Sequence, residues 1–140
     1  MKRDRMKVVL QVREGLERRR LAEQAAADLQ LRLSTERRGE AVAARDERAA
    51  PTAVRSAEEL QQHRVGNVAL EDAVERARER ERQSRREAEI AQQRRVDAAI
   101  ARRSAERLAE RRQAEAATRA SRIAETQLDA VALETWRRRA

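Results

Sequence analysis

The sequence predicts an all-α protein, a long two-helix antiparallel coiled-coil hairpin. Of its 140 residues, 41% are charged, 1% are aromatic and 29 are alanine, a composition typical of long helices with solvated surfaces. Three Gly and one Pro leave few signals for strands or tight turns. The larger apolar residues recur at spacings of three and four, which is the period of one helical face.

The low apolar content excludes a globular enzyme with a deep pocket. A compact domain of this length buries about 70% of its unfolded surface, and the apolar side chains larger than Ala are too few to line such an interior. There is no Cys, which excludes disulfides and thiolate metal sites. The net charge of +8 comes from 33 bases interspersed with 25 acids, a pattern typical of a solvated helical surface.

The first helix is predicted over about residues 4–49. Pro51 lacks a backbone donor and pushes Ala50 out of the helical region, so the turn is predicted at about 50–55. A slip in the apolar spacing after Leu16 breaks a strict heptad. The expected packing face of this helix consists of Val8, Val9, Val12, Leu16, Ala22, Ala26, Leu29, Leu33 and Val42.

The second helix is predicted over about residues 56–138. Ser56 and Glu59 have the spacing of a capping box, in which each side chain satisfies a free backbone amide at the helix start. Gly66-Asn67 offers an alternative turn, although no capping box follows it. The predicted packing seam is thin and rich in alanine: Leu70, Val74, Ala77, Ser84, Ala88, Ala91, Ala98, Ala105 and Ala109.

The unequal helix lengths predict a segment without a partner in the same chain. The helices would span roughly 70 Å and roughly 125 Å. Folding at the predicted turn pairs residue 4 with a position near 102, which leaves about 36 residues of the second helix overhanging. Because this overhang carries Ile123 and Leu128, we expect it to dock on another molecule.

No catalytic or metal-binding constellation is present. His63 is the single His, whereas a zinc site needs at least three converging ligands, and it is interpreted as an exposed helix residue. No glycine-rich phosphate loop occurs. The sequence therefore predicts no enzyme activity, no cofactor and no metal.

Trp136 is the only aromatic residue and directly precedes Arg137 and Arg138. Its side chain either packs on the neighbouring helix or anchors in a pocket of a partner. The sequence has no apolar run of about 20 residues that could span a membrane and no signal-peptide core near its start. These features predict a cytosolic chain.

Five short segments spread along nearly the whole chain carry a resemblance to a known family. They are residues 9–14 (VLQVRE), residues 56–60 (SAEEL), residues 70–75 (LEDAVE), residues 103–112 (RSAERLAERR) and residues 127–129 (QLD). In this order they resemble segments of the flagellar FliJ family. Ala130 replaces a Glu of the family pattern, and His63 and Gly66 occupy positions where the family often has aromatics.

The resemblance implies a coiled coil like the γ stalk of the rotary ATP synthase, acting in flagellar type III protein export. Its implied partners are the hexameric export ATPase and its regulator, the membrane export gate and export chaperones. It would be peripheral at the cytoplasmic face of the membrane, without insertion. The partner-binding residues predicted on this basis are Leu70, Ala73, Val74, Ala77, Leu128, Trp136, Arg137 and Arg138.

Other functions remain open at this point. The stripe of Leu70, Ala73 and Ala77 fits packing within the hairpin as well as docking. An injectisome contains an equivalent stalk, and a structural coiled coil could pair with a second copy of itself. A basic coiled coil could also bind nucleic acid, although acids accompany its arginines and no aromatic platform is present to stack bases.

Overall fold

The structure, a computed structural model, describes residues 5–49 and 53–139. The described chain forms two α-helices, α1 (Arg5–Ala49) and α2 (Ala57–Arg139), with no strand among these residues. The sequence predicted 4–49 and 56–138. The fold class is the predicted all-α hairpin, with the two helices packed against each other.

The connection between the helices lies where the sequence predicted it, as far as it is described. Residues 53–56 are not helical, whereas residue 4 and residues 50–52 lie outside the described part of the chain. The alternative turn at Gly66 is wrong, because α2 continues through that residue.

The predicted capping box starts α2. The Oγ of Ser56 accepts a hydrogen bond from the backbone N–H of Glu59 (3.1 Å). In return, a Glu59 carboxylate oxygen accepts from the N–H of Arg55 (2.8 Å), one residue earlier than in the usual reciprocal pair. Glu58 and Glu59 also place negative charge in the first turn, where it opposes the helix dipole.

Contacts divide the chain into two compact units, Met1–Gly15 with Ala99–Ala140, and Leu16–Ala98. In the Leu16–Ala98 unit the helices run antiparallel. Arg95 Nη1 donates to Gln24 Oε1 (3.4 Å), and Thr35 Oγ1 donates to Glu81 Oε1 (3.2 Å). The residue numbers of the contacting residues decrease along α2 as they increase along α1, which is the predicted antiparallel pairing.

The predicted register of this pairing is wrong. Pairing residue 4 with residue 102 would place Gln24 beside Arg82, but Gln24 bonds Arg95 instead. Continuing the observed pairing of Gln24 with Arg95 along the two helices sets Ala49 near Leu70, so the first turns of α2 lie past the end of α1. Arg48, near that end, accordingly lies against Gly66, where an added Cβ would meet its guanidinium.

The predicted α2 seam is confirmed. Each of its positions is buried or half-buried, and Val74 has no exposed surface. Full burial of a Val side chain contributes about 1.5–3 kcal/mol. Most other seam positions are Ala or Ser, so the helices can approach closely while each contact buries little apolar area.

The predicted packing face of α1 is confirmed only in part, at Leu16, Leu33 and Val42, which are half-buried. Val9, Val12 and Leu29 are exposed, whereas the half-buried positions include Gln24 and Leu31. The buried and half-buried positions of α1 mix apolar residues such as Leu31 with polar ones such as Gln24, so apolar spacing alone did not identify the face that packs on α2.

A buried carboxylate crosses the seam at Glu81, which is 8% exposed. Besides Thr35, its carboxylate contacts Arg85 Nη2 at 3.4 Å. Arg38 Nε lies 3.0 Å from Glu81 Oε2, an ion pair whose N–H is not aimed at the oxygen. The carboxylate is therefore partnered from both helices, which stabilises a charge that would be costly to bury alone.

Removing the cap of α2 should lower stability. Ser56→Ala deletes the acceptor of the Glu59 N–H, and we expect a loss of about 1 kcal/mol in the free energy of unfolding, measured by urea titration with circular dichroism. Ser121→Ala is the control, because Ser121 is exposed within α2 and Ala favours helix. Equal stability of the two variants would contradict this role.

Glu81 should matter far more than an exposed acid on the same helix. Glu81→Ala leaves Arg38 without its buried partner, whereas Thr35 keeps the Leu31 carbonyl as an acceptor at 2.9 Å. We expect a loss of roughly 1–2 kcal/mol, since both arginine partners also reach solvent. Glu89→Ala, at an exposed position, should change the unfolding free energy by less than about 0.5 kcal/mol. Similar losses in urea titrations of both variants would refute the buried-carboxylate role.

Candidate partner-binding surface

The C-terminal segment, defined as residues 111–139, is helical with every residue exposed. The overhang predicted from the sequence began near residue 103. In the structure Ala105 and Ala109 are still half-buried, because the register differs from the predicted one. The segment lies within a single unit, Met1–Gly15 with Ala99–Ala140.

The C-terminal segment is amphipathic, although all of its residues are exposed. One side carries Leu128 and Val131, both exposed, and alanines precede them at spacings of three and four. This spacing keeps side chains on one helical face. The apolar face consists of Ala117, Ala120, Ala124, Leu128 and Val131, and the opposite side carries Glu115, Arg119, Arg122, Glu125 and Asp129.

A second apolar contact point lies near the end of the segment. Trp136 is 69% exposed and lies three residues from exposed Leu133, so the two side chains are neighbours on the helix. Packing of Trp136 on a neighbouring helix, one of the two interpretations of the sequence, is wrong. Anchoring in a partner stays a prediction.

Arginines surround this contact point. Arg138 Nη2 pairs with Glu134 Oε1 at 2.6 Å, and exposed Arg137 precedes it. Because cations in the last helical turn oppose the helix dipole, they support the helix and at the same time present positive charge to a partner.

A basic cavity of about 650 Å³ lies in the same unit. Arg5, Lys7 and Arg112 line it, with no carboxylate among its described lining residues. Met6 and Leu10 supply apolar surface. Such a cavity can accept an apolar side chain flanked by carboxylates. Sequence reasoning missed it, because placing residues 5–10 beside Arg112 requires the correct helix register.

The predicted binding residues near residue 70 do not form an open surface. Val74 is fully buried, and Leu70, Ala73 and Ala77 are half-buried between the helices of the Leu16–Ala98 unit. The geometry fits packing within the hairpin, one of the two interpretations left open by the sequence. Their assignment to partner binding stays a prediction.

His63 is half-buried and not exposed as the sequence suggested. It lines a cavity of about 430 Å³ with Arg48, Val54 and Glu59, because the non-helical connection lies against the first turns of α2. No group of three or more metal-ligating side chains occurs among residues 5–49 and 53–139.

Many acids of the Leu16–Ala98 unit are paired with arginines on their own helix. The hydrogen bond from Arg20 lowers the pKa of Glu23, and that from Arg82 lowers the pKa of Glu79. The partner Asp46 raises the pKa of Arg45. These pairs balance charge locally, as expected of a solvated helical surface.

Comparisons with protein-family models, with curated proteins and with solved structures found no match for this chain. Neither described helix is apolar enough over a sufficient length to cross a membrane.

Trp136 provides a direct probe of the C-terminal segment. Because it is the only aromatic residue and is exposed, we expect the emission of the free protein at the wavelength of tryptophan in water, with full accessibility to acrylamide. Emission shifted to shorter wavelength in dilute protein would contradict an uncovered segment. The variant Trp136→Leu supplies the background.

Proposed function

We propose that this chain is a non-enzymatic component of the flagellar type III protein export apparatus. It acts as a coiled-coil stalk that binds the hexameric export ATPase ring and links it to the export gate and to export chaperones. The ordered similarity to the FliJ family and the antiparallel helical hairpin support this proposal.

The observation that carries the proposal is the exposed, amphipathic C-terminal segment. A helix that presents Leu128 and Val131 on one side and charges on the other is suited to an apolar groove on a partner. The neighbouring basic cavity, with Arg5, Lys7 and Arg112, favours a partner with carboxylates beside that groove. Trp136 and Leu133 would add an anchor at the end of the segment.

Binding would influence the ATPase through differential affinity. A stalk changes the rate of hydrolysis only when it contacts one conformation of the ring more favourably than another. A location at the cytoplasmic face of the membrane would follow from binding the export apparatus, and no lipid-embedded part is required. The chain itself would supply contacts and no reacting group.

Binding to the purified flagellar export ATPase of the same organism tests the proposal. Val131 on the apolar face of the C-terminal segment is 62% exposed, and Ile100 elsewhere on α2 is 58% exposed. We expect Val131→Glu to weaken binding about tenfold or more, equivalent to about 1.4 kcal/mol, and Ile100→Glu to bind like the unmodified chain. Calorimetry measures the affinity, and phosphate release measures hydrolysis.

Four outcomes would count against this function. The chain could leave the ATPase unbound and its hydrolysis rate unchanged, or Ile100→Glu could weaken binding as much as Val131→Glu. Tighter binding to an injectisome ATPase than to the flagellar export ATPase would assign the chain to an injectisome. Submicromolar affinity for duplex DNA at physiological salt, falling steeply as salt rises, would favour the nucleic-acid alternative.

A further inference from the structure

The helix α1 carries a second regular face besides the one that packs on α2. This outer face lies within the Leu16–Ala98 unit, and its positions alternate in steps of three and four without a slip. Leu29 is 53% exposed and Leu33 is half-buried, while the other members are exposed. The outer face consists of Arg19, Ala22, Ala26, Leu29, Leu33 and Glu36.

The alternation of three and four is the pattern of a coiled-coil seam. On α1 it occurs twice, because Gln24, Leu31 and Ser34 already face α2 as half-buried or buried residues. Apart from half-buried Leu33, the positions of the outer face are exposed. The outer face therefore has the spacing of a helix–helix interface but is largely uncovered by the described residues of the chain.

We infer that the partner on the outer face is a second copy of this chain, paired antiparallel through α1 of each copy. A two-fold axis between residues 27 and 28 places Ala22 opposite Leu33 of the second copy. The same axis places Ala26 opposite Leu29 of the second copy. Each large side chain then meets a small one, and each contact occurs twice, as two-fold symmetry requires.

The charges that flank these apolar positions favour the same arrangement. The two-fold axis brings Arg19 opposite Glu36 of the second copy, at both ends of the apolar stretch. Glu36 has no hydrogen bond or ion pair with any described residue, and Arg19 pairs within the copy with Glu23 at 3.2 Å. A parallel pairing would oppose Arg19 to Arg19 and Glu36 to Glu36.

This self-complementarity is what selects a second copy as the occupant. Size and sign both match about one axis, using residues of a single chain. The association is separate from the C-terminal segment, so it can fail or hold independently of the proposed function. The apolar stretch is short, so we expect a monomer–dimer equilibrium that depends on concentration.

Charge reversal tests the arrangement by analytical ultracentrifugation of the full chain. Arg19→Glu alone places an acid opposite Glu36 of the second copy at each end of the interface. Glu36→Arg alone places an arginine opposite Arg19 of the second copy. We expect each single variant to dimerise about tenfold more weakly. The double variant should dimerise like the unmodified chain, and an equimolar mixture of the two single variants should form heterodimers.

A matched pair of apolar positions tests the face itself. Leu29→Glu should weaken dimerisation about tenfold or more, whereas Ile90→Glu, at an α2 position of similar exposure (51%), should change it by less than about twofold. Circular dichroism checks that both variants retain their helix content.

A monomer at every concentration would overturn the inference. Equal effects of the Leu29 and Ile90 variants would also overturn it, because the outer face would then have no special role. Failure of the double variant to recover dimerisation would refute the antiparallel arrangement.

Discussion

The thin seam between α1 and α2 in the Leu16–Ala98 unit is the constraint on which the rest of the structure depends. Its α2 side is mostly Ala and Ser, and Val74 is the only large side chain fully buried among the described residues. Small side chains permit close approach of the helices but bury little area. Outside this seam the surfaces of both helices are polar, and many of their acids pair with arginines on the same helix.

The small residues of the α2 seam alone would specify the alignment of the helices poorly. Sliding α2 by one heptad would present Ala or Ser to α1 at the same places again. Glu81 removes this degeneracy. Its carboxylate meets Thr35 and Arg38 in the observed alignment, whereas a shift of seven residues would bury it without them. A buried polar group can fix register in this way, at some expense of stability.

The sequence predicted the features that depend on local chemistry, namely two helices, the Ser56 cap and the α2 seam. It identified the packing face of α1 only in part, because the apolar spacing through Ala22 and Leu29 belongs to the outer face. Glu81 lies seven residues after Val74 and seven before Ala88, so heptad spacing could have identified it, but its charge argued against burial. The register and the basic cavity could not be predicted, because both depend on the path of the non-helical connection.

Every described residue after Ala116, the last to line the cavity beside Leu10, is exposed, and this has a consequence for the dynamics of the C-terminal segment. A helix with few neighbours depends on intrinsic propensity and local side-chain pairs, and its population falls gradually with temperature. Backbone amides of residues 117–139 should therefore exchange with deuterium through local fraying, whereas those near Val74 should exchange only through larger openings of the hairpin. A binding partner would select among partly frayed states, so warming would weaken recognition before it unfolds the hairpin.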